Sequence, residues 1–64
     1  MNIAIAVVLV QSFVKKNDLE LCFDAYSNYN EVLDCAQLEG DQEIVECLQF
    51  IERVEMIESC FKAS

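Results

Sequence analysis

The chain has no proline, no histidine and no tryptophan, and a single glycine, Gly40. With so little to interrupt a helix, no stretch reads as a flexible linker. The missing imidazole removes the usual base for a cysteine or serine nucleophile and the commonest metal ligand. Positive charge is also scarce: four Lys and Arg stand against twelve Asp and Glu, a net charge of −8. Such a surface repels phosphate backbones and anionic lipid headgroups, so direct binding to nucleic acid or a membrane surface is not expected. A basic protein partner, or a protein site that normally holds nucleic acid, suits the same charge.

Length sets the next bound. Sixty-four residues make one helical domain, 1–64, and a chain this short buries only about 60% of the surface its unfolded form exposes. Added support comes from disulfides, a metal or a partner chain. The apolar fraction of 55% exceeds what one small core hides, which favours a protein partner or a homo-oligomer. The longest apolar run, Ile3 to Val10, is too short to span a bilayer, which takes about 20 residues. No Lys or Arg precedes it and no small-x-small site follows, so it reads as part of the fold rather than a signal.

What is present is helical periodicity. DQEIVECLQFIERVEMIESCFK reads as one long C-terminal helix over about 41–62. Its apolar stripe runs through Ile44, Cys47, Phe50, Ile51, Val54, Ile57 and Phe61. Gly40 suits the left-handed residue that ends a preceding helix, and Asp41 suits the cap of the next. The expected fold is therefore all-α: a small helical bundle built on an antiparallel hairpin turning at Gly40–Asp41. Upstream, Leu19, Cys22, Phe23 and Tyr26 recur at helical spacing behind a cap at Asn17 or Asp18. The polar cluster SNYN is expected to break that helix, with Glu31 to Leu38 following. Residues 2–14 mix strand formers with helix formers. Helix is the reading there, with a strand pairing in a dimer as the alternative. EVLDCAQL, EIVECLQF and EMIESCF echo one another at a twelve-residue step.

The four cysteines nest about Asp41, Cys35 with Cys47 and Cys22 with Cys60, and both nested pairs would lie level on a hairpin of continuous helices. This resembles the coiled-coil-helix twin-cysteine hairpins over residues 22–60. The resemblance implies two disulfides stapling antiparallel helices, although twelve intervening residues in each arm is a wider spacing than that family's. A thirteen-residue step turns a helix by about 1300°, leaving the two cysteines of one arm about 140° apart. Both pairs therefore do not face each other on straight helices, and Cys35–Cys47 is the better single bridge. The opposing reading keeps all four reduced as small apolar residues of a cytoplasmic protein, and this reading is favoured.

Chemistry is mostly excluded by what the pattern omits. There is no Cys-x-x-Cys for zinc, no glycine-rich phosphate loop and no calcium loop. No cofactor, metal site or small-molecule substrate is indicated, and an enzyme is not expected. Two readings stand. One is an intracellular interaction module, a regulator, adaptor or inhibitor, using Val7, Val10 and Val14 with the surface tyrosine Tyr29. Within it, Asp34, Glu39, Asp41, Glu43 and Glu46 would imitate a phosphate array and block a nucleic-acid-binding protein. Phe23 and Tyr26 are expected in the core. The alternative is a secreted, disulfide-stapled helical hairpin, pheromone-like or toxin-like.

Overall fold

The computed structural model describes residues 1–62, and these are all-helical: α1 Ile3–Lys16, α2 Ala25–Glu39, α3 Gln42–Arg53 and α4 Ile57–Phe61. The N-terminal segment is thus a helix, and no strand occurs among the described residues. The Asn2 side chain starts α1 by accepting from Ala4 N–H at 2.7 Å. Lys15 and Lys16 occupy its last turn, where cations complement the helix dipole.

α3 is the central element, packing against α1, α2 and α4, while α2 also packs on α4. Its face of Ile44, Cys47, Leu48 and Ile51 is buried against Ala6, Val10 and Phe13 of α1, Val32 and Ala36 of α2, and Phe61 of α4 in one cluster. Burying a side chain the size of Leu48 or Ile51 contributes about 1.5–3 kcal/mol each. Ala6 and Ala36 are both fully buried. The molecule is 27 × 24 × 15 Å, its thin dimension matching two helix layers about 8–10 Å apart.

All three long helices end alike. The residue after the last helical turn takes a left-handed backbone, and its N–H and the next one reach back to the helix carbonyls. At α2, Gly40 (φ 70) and Asp41 bond to Gln37 and Ala36. At α1 the pair is Asp18 (φ 54) and Leu19, bonding to Lys15 and Val14. At α3 it is Glu55 (φ 59) and Met56, bonding to Glu52 and Ile51. Asp41 then opens α3, its Oδ1 accepting from Ile44 N–H at 3.2 Å.

Four expectations are corrected here. The long helix over 41–62 is two helices, broken at Val54–Met56. Unbroken it would run about 33 Å, beyond the 27 Å longest extent; the break turns Ile57 and Phe61 back onto α2. Val54, expected in the stripe, is 41% exposed, and Leu48 and Val45 take the buried positions instead. The helix expected from Asn17 begins only at Ala25, because Asp24 is the cap that accepts from Tyr26 N–H and Ser27 N–H at 3.1 and 3.0 Å. SNYN causes no break: α2 runs through it, and Asn28 turns inward.

Candidate functional site: interaction surfaces

Asn28 is fully buried, on the first turn of α2 that its own side chain helps to fix. Its Oδ1 accepts from Phe23 N–H at 3.0 Å, and its Nδ2 donates to the carbonyls of Phe23 and Phe61 at 2.9 and 2.8 Å. One amide therefore holds the bend before α2 and the end of α4 together. Beside it, Tyr29 is buried, its hydroxyl donating to the Leu48 carbonyl at 3.1 Å. Its ring meets Phe61 edge-on at 5.6 Å between centroids. Burial, and then the Glu52 charge, raise the Tyr29 phenol above its ordinary range.

Tyr29 is accordingly a core residue, not the surface anchor expected, and the aromatics expected in the core are outside. Phe23 and Tyr26 are 53% and 55% exposed. The reason is the latch: with its peptide N–H and C=O both claimed by Asn28, Phe23 sits on a bend outside any helix and directs its ring to solvent. Tyr26 follows the Asp24 cap on the outer side of α2. The Asp24 carboxyl is held below its usual range by hydrogen bonds from the Ser27 N–H and hydroxyl, and then from Tyr26 N–H.

On α1, the expected interface residues divide. Val10 is core and Val7 and Val14 are half-buried; all three line a groove of about 240 Å³ with Leu19, Cys60 and Phe61. The free face lies on the other side of the helix, where Met1, Ile5 and Val8 are 65%, 57% and 58% exposed. Ile5 and Val8, with Ala4 and Leu9, line a shallow, wholly apolar depression. Helical spacing of exposed residues, read against the buried set Ala6, Val10 and Phe13, identifies this face, but only once the buried set is known.

The carboxylates proposed as a phosphate array lie around the α2–α3 joint. Asp34, Glu39, Glu43 and Glu46 are exposed, while Asp41 is half-buried and engaged in capping. Burial raises the Cys47 thiol above its usual range, and Glu43, Asp41 and Glu46 add to the shift, so these three charges bear on one point.

All four thiols are unbridged in the structure. Cys22 is exposed on the segment before α2, Cys35 lies half-buried on α2, Cys47 is buried on α3 and Cys60 half-buried on α4. The twin staple requires two continuous helical arms, and neither arm is continuous. Burial raises the Cys60 thiol as well, which lowers its nucleophilicity at neutral pH. Among the described residues no group of three or more Cys, Asp and Glu is placed to hold a metal ion, and no helix is long and apolar enough to cross a membrane. No protein-family model, no curated protein and no solved structure matches the chain.

Proposed function

We propose that this chain is a small acidic, non-enzymatic protein–protein interaction module that associates with a second copy through the outer face of α1 and turns its carboxylate-bearing helices toward other partners. The observation that carries this reading is the exposed apolar face of Met1, Ile5 and Val8. On typical monomers the largest such patches, about 300–600 Å², are often functional. Charge supports the same face. Every Asp and Glu lies between Asp18 and Glu58, so α1 has none and ends in Lys15 and Lys16. Two copies of a chain with net charge −8 meet on α1 with the least repulsion between carboxylates.

The test is to follow amide chemical shifts of the full chain through dilution. Shifts that move with concentration and cluster on residues 1–9, and that stop moving in an Ile5→Asp, Val8→Asp variant of unchanged thermal midpoint, support the reading. Concentration-independent shifts along α1 would refute it.

A further inference from the structure

We infer that the exposed ring pair Phe23 and Tyr26 forms a second, preorganised docking face, and that its occupant is an arginine-rich segment of a partner protein. The inference rests on the interaction-module reading and names the partner chemistry that reading leaves open.

The rings come first. Aromatic residues, phenylalanine included, are enriched at protein interfaces, and tyrosine is among the few that dominate binding energy there. Here they are held in place rather than left loose. Phe23 has both backbone polar groups bonded to the buried Asn28 amide, at 3.0 and 2.9 Å, and Tyr26 N–H is bonded to the Asp24 cap at 3.1 Å. Anchors whose backbone is already fixed lose less entropy on binding.

The surroundings then select the partner. Between Phe23 and Tyr26 a hollow is edged by Asp24 and Glu58. On its far side Tyr26 borders a second hollow with Glu52, Glu55 and Glu58, and Phe23 borders a third with Glu31 and Asp34. Lys62 is the one base lining any of the three. A ligand for this face needs a flat apolar surface to cover the rings and positive donors for the carboxylates. The guanidinium group supplies both: it stacks on aromatic faces and pairs with carboxylates in a fork, which the ammonium of lysine does not do. The chain itself contains the ring contact, with the Arg53 guanidinium 5.8 Å from the centroid of Phe50.

A capped nonapeptide of alternating arginine and glycine is the probe, titrated into the full chain by calorimetry, with the lysine analogue as comparison. The expected result is binding that weakens roughly tenfold in Phe23→Ala. It should be weaker for the lysine peptide, and fall as salt rises from about 50 to 300 mM. Glu55→Gly is expected to weaken binding while raising thermal stability, so the loss is not unfolding. Glu39→Gln with Glu43→Gln, at the α2–α3 joint, should leave binding unchanged. No binding, binding indifferent to Phe23→Ala, or equal loss from the Glu39 and Glu43 pair would overturn the inference, the last showing general attraction to an acidic protein. Self-association and peptide binding fail separately: Ile5→Asp with Val8→Asp abolishes the first and leaves the second, and salt strengthens the first while weakening the second.

Discussion

Asn28 satisfies three backbone groups that no helix reaches: the N–H and C=O of Phe23 and the C=O of Phe61. Removing it leaves buried polar atoms without partners, each costing about 1–3 kcal/mol. Asn28→Ala is therefore expected to lower stability in urea unfolding by about 2–4 kcal/mol, against total stabilities of about 5–15 kcal/mol for small domains. Asn30→Ala, two residues on and exposed, should stay within about 0.5 kcal/mol. Equal effects from the two would contradict the latch. Tyr29 adds a pH dependence. Its phenol is raised in the fold by burial and then by Glu52, so its contribution is whole below the ordinary tyrosine value of about 10 and is lost as pH climbs past it. Cys47 and Cys60, raised chiefly by burial, add a loss that begins near pH 8.5. The thermal midpoint should thus fall on the alkaline side, and Tyr29→Phe, lower at neutral pH by about 1 kcal/mol, should decline less steeply above about pH 10. None of this is legible in SNYN itself. Polar residues at adjacent positions signal a break when their partners are unseen, and one partner of Asn28, the Phe61 carbonyl, lies thirty-three residues away.

At the scale of the element, the three left-handed helix ends carry different strain. Gly40 has nothing within 4 Å of where a Cβ would stand, so Gly40→Ala tests backbone conformation alone and should cost about 1 kcal/mol. Glu55 holds the same conformation with a side chain, and Glu55→Gly should gain about 0.5–1 kcal/mol. Asp18→Gly should gain less, since aspartate tolerates this region better. Urea midpoints moving in these opposite directions would establish the three caps as equivalent; a destabilising Glu55→Gly would not fit. Gly40 and Asp41 could be read as a helix end and a helix start because glycine and aspartate are the residues those positions favour. The ends at Asp18 and Glu55 could not, because glutamate rarely takes a left-handed turn and Asn17–Asp18 suits a helix start as well as a helix end. That single gap explains both misplaced boundaries, the early start of the second helix and the unbroken third. In the first two copies of the sequence echo the second and sixth positions, Val32 and Ala36 on α2 and Ile44 and Leu48 on α3, are buried, while Met56 and Cys60 in the third are half-buried.

For the whole molecule, the division of charge organises everything else. α1 carries apolar surface and two lysines, while every Asp and Glu lies in residues 18–58, from the segment that follows α1 through α4. Composition and periodicity make an acidic, all-helical chain legible. They do not show which residues face outward, because α1 is apolar around most of its circumference and periodicity does not rank its faces. Val10, expected at an interface, is core, while Ile5 and Val8 are exposed. Electrostatic self-repulsion opposes pairing of two such chains, and salt screens it over a Debye length of about 10 Å at 0.1 M. Association through α1 should therefore tighten as salt is added. Sedimentation equilibrium of the full chain, at low and high salt and from about 10 µM to 1 mM, where small interfaces form, is the direct test. The account predicts a mass rising from the 7.3 kDa monomer toward its double, earlier at high salt, and held at the monomer by Ile5→Asp with Val8→Asp. A monomer at every concentration and salt, or a dimer indifferent to those two substitutions, would contradict it.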